Sequence, residues 1–327
     1  MNAVSTEAAR VLEVRHLSKC FSMTGGLLRQ AKGTLRAVDD VSFAIAPGET
    51  LCIVGESGCG KSTLGRLALR LIEPSGGQIL IEGSDVTALS QEQMRPFRRR
   101  MQMVFQDPYA SLNPRLSAEE IVTEPIDNYE SLSSADRRER AVQLLTRVGL
   151  HADMLHRRPF EFSGGQRQRL GIARALSLHP ALIVADEPVS ALDVSVQAQV
   201  LNLMLDLQDS MGIAYLFISH DLGVVEHIGQ RIAVMYLGRI VELADRDALF
   251  SKPQHPYTEA LLQAVPVPDP RAPRRRPILE GELPSAIAPP SGCTFHPRCP
   301  YATERCRQEV PALRQLADGR LAACHLR

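Results

Sequence analysis

The 327-residue sequence predicts an α/β fold organised around a mostly parallel sheet, and three patterns carry that prediction. Short apolar runs of strand length alternate with helical patterns, as consecutive strand–helix units require. The run Thr50-Leu51-Cys52-Ile53-Val54 passes through a glycine-rich turn into an apolar helical pattern over Thr63 to Ile72. Ala181-Leu182-Ile183-Val184-Ala185 is a continuous apolar stretch, the pattern of a central parallel strand covered on both faces.

Taken in chain order, residues 11 to 95 read as a strand-rich opening followed by the first strand–loop–helix unit. The polar stretch Ser22 to Arg36, lying between two strands, reads as a hairpin insertion. The turn after Val54 is Gly55-Glu56-Ser57-Gly58-Cys59-Gly60-Lys61-Ser62-Thr63, which fits the phosphate-loop pattern G-x-x-x-x-G-K-S/T. In that pattern backbone N–H groups wrap the phosphates at a helix N-terminus, Lys61 reaches the β- and γ-phosphates and Ser62 holds Mg²⁺. A glycine turn that binds nothing is the plain alternative. The strand before the loop and the helix after it supply the context the motif requires. Alone, the loop indicates a nucleotide and no more.

From about Pro108 to Glu161 the pattern turns helical and charged, with an amphipathic helix over Ser134 to Val148 capped by Ser133 or Ser134. Phe162-Ser163-Gly164-Gly165-Gln166 opens the next helix, and a serine with two glycines there makes an anion-binding N-terminus. The apolar strand at 181–185 ends in Asp186-Glu187. Side chains alternate along a strand, so adjacent acids at its end face different ways: Asp186 toward Mg²⁺, Glu187 toward an attacking water. Without the phosphate loop upstream, the pair would read equally well as a solvated acidic turn before Pro188. A helix over Val194 to Met211, a strand over Ile213 to Ile218, and two strands around Gly238 near Ile232 to Glu242 complete the core.

In this order the motifs resemble the ATP-binding cassette (ABC) superfamily over roughly residues 11 to 250. The family signature is Leu-Ser-Gly-Gly-Gln; here Phe162 takes the first place and keeps an apolar anchor. The resemblance implies a P-loop NTPase (RecA-like) core with an antiparallel β subdomain, an inserted α-helical subdomain and a small Cys-containing C-terminal extension. The boundaries expected are 1–107, 108–165, 166–249 and 250–327. It also implies roles for residues outside the phosphate loop. Gln106, in Val104-Phe105-Gln106-Asp107-Pro108, touches Mg²⁺ and relays to a membrane partner. Asp193, in Ser190-Ala191-Leu192-Asp193, belongs to a loop that crosses the dimer interface. His220 contacts the γ-phosphate, with a capped, solvated histidine as the plain alternative, and Phe21 stacks on adenine, with a core phenylalanine as the alternative. Ser163, Gly164, Gly165 and Gln166 close over ATP held by the phosphate loop of a second subunit, so hydrolysis needs a dimer. Glu187, His220 and Lys61 are the catalytic residues this implies.

Beyond residue 250 the composition shifts. Pro253-Gln254-His255-Pro256-Tyr257-Thr258 leads into a short apolar helix, and Pro266 to Pro290 reads as an extended, non-packing tether. The His-Pro-Tyr stretch, the loop Gly55-Glu-Ser-Gly-Cys-Gly-Lys-Ser-Thr-Leu-Gly and Ser111-Leu112-Asn113-Pro114 resemble the ATPase subunits of peptide and nickel importers. Four of the seven cysteines, Cys293, Cys299, Cys306 and Cys324, crowd the end of the chain. In a reducing compartment such a set suits metal better than disulfides; Zn²⁺, an iron–sulfur cluster and four plain thiols all remain open. Intervals longer than the paired C-x-x-C of zinc ribbons lean toward iron, and the importer resemblance implies a 4Fe–4S cluster. Cys59 lies beside Lys61 and a helix N-terminus, surroundings that lower a thiol pKa; a small residue filling a tight turn is the alternative.

Lys and Arg total 37, as do Asp and Glu, so the formal net charge is zero and nothing marks a nucleic-acid binder. No run approaches the roughly 20 apolar residues needed to span a bilayer, and the N-terminus lacks an apolar signal core. The expectation is a peripheral subunit on the cytoplasmic face of the cell inner membrane, with ATP and Mg²⁺ as ligands. Its expected partners are two transmembrane permease subunits, a second ABC ATPase (paralogue or second copy) and a substrate-binding protein. Expected cargo is di- and oligopeptides, with nickel, glutathione or another small solute as the alternative. A soluble cassette ATPase of repair or translation is the competing class. Repair members usually separate loop and signature by long coiled coils, and translation members usually join two cassettes; this chain has neither.

Overall fold

In the structure, a computed structural model that describes residues 10–22, 33–264 and 284–327, the predicted parallel strands are present and in register. The chain divides into two units. One comprises Met1–Leu12, Ile45–Glu49 and Ile81–Ile218; the other comprises Glu13–Ala44, Thr50–Leu80 and Ser219–Arg327.

In the first unit the strands Met101–Val104, Leu182–Asp186 and Ala214–Ile218 run parallel, with Val104 opposite Ala185 and Asp186 opposite Ile218. Every residue of the last two strands is buried, as a continuous apolar run between covered faces demands. The helical insertion has the predicted cap at Ser133 and a further one at Ser117. Ser117 and Glu120 form a capping box ahead of Ala118–Asp127, and the Ser133 hydroxyl accepts from Asp136 N–H ahead of Ser134–Arg147. These two helices pack with Gly164–Leu176, burying Leu144, Leu145, Leu170 and Ile172.

In the second unit, Thr50–Val54 pairs parallel with Arg231–Tyr236, placing Val54 opposite Val234. Arg231–Tyr236 pairs antiparallel with Arg239–Asp245 across the predicted Gly238 turn. Leu321–Ala322, near the C-terminus, adds to the far side of Arg239–Asp245, and Arg314–Gln315 pairs with it in turn. The extension is therefore partly sheet. Separately, Leu12–Ser22 lies between Thr34–Ile45 and Gly76–Ile81. Its bonds from Asp40 N–H to Ser18 Oγ and from His16 N–H to Ser42 Oγ run it opposite to Thr34–Ile45. Most of the expected hairpin insertion at Ser22 to Arg36 and most of the tether at Pro266 to Pro290 lie outside the described residues.

The start of the extension is anchored by buried polar groups. Glu242 is fully buried, and its two carboxylate oxygens accept from Gln254 N–H at 2.7 Å and His255 N–H at 2.8 Å. His255 caps the helix Pro256–Gln263 by accepting from Tyr257 N–H through Nδ1 at 3.1 Å. Its ring packs on Phe295, which also meets Tyr236 and Tyr257. Burial depresses the His255 pKa to about 3, so the ring is neutral, as an accepting Nδ1 requires. Because the folded value lies below the unfolded one near 6.5, this contribution to stability is complete above pH 6.5 and is lost as pH falls toward 3. Lowering pH from 7 to 5 should remove about 2 kcal/mol of stability through this residue. Urea unfolding of wild type and His255→Asn, which keeps a capping oxygen but cannot titrate, should show a steeper acid-side loss in wild type; parallel pH curves would exclude this role.

Candidate active site

The phosphate loop belongs to the second unit. It leaves the buried strand Thr50–Val54 and ends at Gly60, whose left-handed backbone (φ 108°) forms the N-cap of the helix Lys61–Ala68. A Cβ at Gly60 would lie 2.0 Å from the Ala37 carbonyl oxygen, so only glycine lets the loop pass there. Lys61 is buried, and its ammonium donates to the carbonyls of Gly55 at 2.8 Å and Glu56 at 3.0 Å. Ser62 and Thr63 follow on the first turn of the helix, which is shorter than the predicted span to Ile72.

At Cys59 the structure favours the second of the two readings. It is 1% exposed, and desolvation raises its thiol pKa more than Lys61 lowers it. The loop cysteine is a small buried residue in a tight turn, with no activated thiol.

In the first unit, Gln106 and Glu187 are brought together: the Gln106 amide donates to a Glu187 carboxylate oxygen at 2.9 Å, across 81 residues of sequence. Asp186 is the last, buried residue of its strand. Glu187 has already left the strand, in the left-handed region at φ 47°. The acids part company through this backbone turn rather than through strand alternation alone. A non-glycine residue held there costs of order 1–3 kcal/mol. The turn is held by Glu187 N–H to the Ile218 carbonyl at 2.9 Å and by Ser190 Oγ–H to the Glu187 carbonyl at 3.0 Å.

The signature residues form a capping box. Ser163 Oγ accepts from Gln166 N–H, and Gln166 Oε1 accepts from Ser163 N–H at 3.0 Å. Phe162 is buried as the apolar anchor. At Gly165 a Cβ would come within 2.4 Å of Val196 Cγ1, which keeps the helix start against the helix Val194–Met211. Asp193 is the N-cap residue of that helix without a side-chain capping bond, and Val194 beside it is 82% exposed.

His220, in the second unit, is exposed on a short loop. Before it, Ser219 N–H donates to the Ile53 carbonyl at 3.2 Å; after it, Asp221 caps Leu222–Ile228. Phe21 lies at the end of its strand, 38% exposed, with the Lys19 ammonium 5.1 Å from its ring centroid, so it is not a core residue.

Contacts between the extension and the phosphate loop were not foreseen from sequence. The Arg298 guanidinium pairs both its terminal nitrogens with the Glu56 carboxylate at 2.8 and 2.9 Å, and Glu56 N–H donates to the Tyr257 hydroxyl at 2.9 Å. The partners lie 242 and 201 residues apart, and no local pattern signals either. The four C-terminal cysteines form no disulfide, and Cys299, Cys306 and Cys324 lie within electrostatic reach of Cys293. Burial first, then the neighbouring thiols, push Cys293 up to about 11, and its N–H donates to the Cys306 carbonyl at 2.8 Å. Among the described residues, no group of three or more His, Cys, Asp or Glu side chains is placed to hold a metal ion.

Comparison with known proteins agrees with this geometry. Residues 38–190 match the ABC transporter family, and residues 241–306 match the oligopeptide/dipeptide transporter C-terminal region. A probable peptide ABC transporter ATP-binding protein of Sinorhizobium fredii is 62% identical, over 97% of this chain and 90% of the relative. The oligopeptide transport ATP-binding protein AppF of Bacillus subtilis is 52% identical, over 100% of this chain and 99% of the relative. Among solved structures, the ATP-binding cassette MJ0796, as a post-hydrolysis dimer bound to ADP and Pi, superposes with a TM-score of 0.64 at 28% identity, covering 72% of this chain and 98% of that one. The chain belongs to the ATP-binding proteins of ABC transporters, as an ATP-hydrolysing subunit that uses ATP and Mg²⁺ and carries the C-terminal region of the oligopeptide/dipeptide group.

Proposed function

We propose that the chain powers import of di- and oligopeptides across the cytoplasmic membrane as the ATPase of an ABC transporter. The observation that carries this reading is the C-terminal region over residues 241–306, which sets the chain apart from a bare cassette and belongs to the oligopeptide/dipeptide group. The names of the Sinorhizobium and Bacillus relatives support the same cargo. Among the described residues no helix is long and apolar enough to cross a membrane, so the reading assigns the pore to two permease subunits. A substrate-binding protein delivers the peptide in this scheme, and the ATPase sits peripherally on the cytoplasmic face. Nickel and glutathione remain the alternative cargoes.

Phosphoryl transfer asks for positioning and charge neutralisation more than for covalent chemistry. In the proposed assignment Lys61 and the loop N–H groups take the β- and γ-phosphates, and Phe21 offers a face to adenine. Ser62, Gln106 and Asp186 are the residues that would hold Mg²⁺, and a bound Mg²⁺ would supply charge neutralisation for the phosphates. Glu187, oriented by the Gln106 amide at 2.9 Å, aligns the attacking water, and His220 contacts the γ-phosphate. Ser163, Gly164, Gly165 and Gln166 close on the nucleotide of a second subunit. The second subunit is a paralogue in the assembled transporter, with a homodimer as the alternative.

The four C-terminal thiols extend the reading to a cofactor, an iron–sulfur cluster with Zn²⁺ as the alternative. The gathering of Cys293, Cys299, Cys306 and Cys324 supports it. As placed they do not form a ligand set, so their side chains would have to turn toward a common centre.

Three measurements test these assignments. Glu187→Gln should lower ATP turnover by about a hundredfold or more and accumulate an ATP-bound dimer on gel filtration; unchanged turnover would remove Glu187 from its role. Lys61→Ala in the source organism should abolish uptake of labelled peptide while leaving Ni²⁺ uptake intact; loss of Ni²⁺ uptake alone would replace the cargo. Anaerobically purified protein should contain iron and absorb in the visible region, and colourless, iron-free protein would exclude the cluster.

A further inference from the structure

The phosphate loop contains one acidic side chain. Between Gly55 and Ser62 only Glu56 carries a carboxylate, in the loop assigned to the polyanionic tail of ATP. A free carboxylate there opposes phosphate binding in two ways. It repels the incoming phosphates, and it attracts the Lys61 ammonium, which already donates to the Glu56 carbonyl at 3.0 Å. The structure pairs that carboxylate with a cation from the distant end of the chain. Arg298 grips it with two parallel N–H···O bonds of 2.8 and 2.9 Å, the bidentate geometry that suits guanidinium and carboxylate.

Arg298 is held for this task. Its side chain is only 6% exposed, and its backbone N–H donates to the Phe295 carbonyl within the short turn His296–Arg298. Phe295 is locked among Tyr236, Tyr257 and His255. The Tyr257 hydroxyl accepts from Glu56 N–H at 2.9 Å, so one cluster of rings fixes both Glu56 and the residue that neutralises it.

We propose that Arg298 is a positioning residue for ATP: the counter-ion of Glu56, which keeps Lys61 and the loop N–H groups available to the phosphates. The C-terminal extension is then an electrostatic part of the nucleotide site. The proposal rests on the reading of the phosphate loop as the ATP site.

The test uses the full-length chain, with displacement of a fluorescent ATP analogue by ATP and steady-state hydrolysis. Arg298→Gln removes the charge and, being shorter, gives up the two-pronged grip on Glu56 while leaving a polar amide at the position. It should weaken ATP binding and raise KM about tenfold, with kcat changed less than twofold. Adding Glu56→Gln to that variant should restore affinity to within twofold of wild type, because the carboxylate no longer needs neutralising. A purely mechanical brace predicts the opposite, since the double variant lacks the same ion pair. Wild-type affinity in Arg298→Gln, or no recovery in the double variant, overturns the proposal. Should the single variant not fold, the double variant alone decides: affinity within twofold of wild type supports the proposal, and a tenfold loss ends it. Lys61→Ala in the same assay keeps the two readings apart. If it binds ATP normally, the loop assignment fails; if it loses binding while Arg298→Gln does not, only the counter-ion role fails.

Discussion

A phosphate-binding loop must be held still while it offers backbone N–H groups to the phosphates, and much of the second unit serves that constraint. The strand Thr50–Val54 is buried and in parallel register with Arg231–Tyr236, so the loop starts from a point that cannot slide. At its other end Gly60 lies so close to the Ala37 carbonyl that no side chain fits. Gly238 N–H donates to the Cys59 carbonyl at 2.9 Å, tying the turn between two strands to the middle of the loop. Cys59 fills the remaining space as a neutral thiol, because burial outweighs the pull of Lys61.

In the first unit rigidity comes from parallel strands and strain from the turn beyond them. Pairing of Leu182–Asp186 with Ala214–Ile218 sets Asp186 opposite Ile218, and the bond from Glu187 N–H to the Ile218 carbonyl continues the ladder by one residue. The chain then turns through a left-handed conformation, which re-aims the Glu187 carboxylate to meet the Gln106 amide. Strain of this kind persists where surrounding bonds over-determine it, and here buried strands and the Ser190 contacts do so.

The extension is held to the rest of the second unit through buried polar groups that pair with one another. Glu242 takes two backbone N–H groups, His255 takes a third, and Arg298 takes Glu56. Buried charge and unpaired N–H groups are expensive, so each of these residues needs the others in place. The same arrangement stabilises the helix Pro256–Gln263 and sets the charge beside the phosphate loop.

The sequence by itself determined the elements whose signals are local. Glycine spacing and flanking periodicity marked the phosphate loop, and serine caps at 133 and 163 marked helix starts within a residue. The apolar runs at 50–54 and 181–185 marked the buried strands that present the site, observed at Thr50–Val54 and Leu182–Asp186. Hydrogen bonding along a helix or at a cap involves residues three or four apart, so such features are written in short windows. Tertiary structure alone decided the pairings across long separations: Gln106 with Glu187, Glu56 with Arg298 and Tyr257, and the C-terminal strand Leu321–Ala322 on Arg239–Asp245. It also decided between the two readings of Cys59, since proximity to Lys61 was legible in the sequence and burial was not. A residue's neighbours in sequence state what charges lie near it, but its pKa and its role depend on how much water the fold removes.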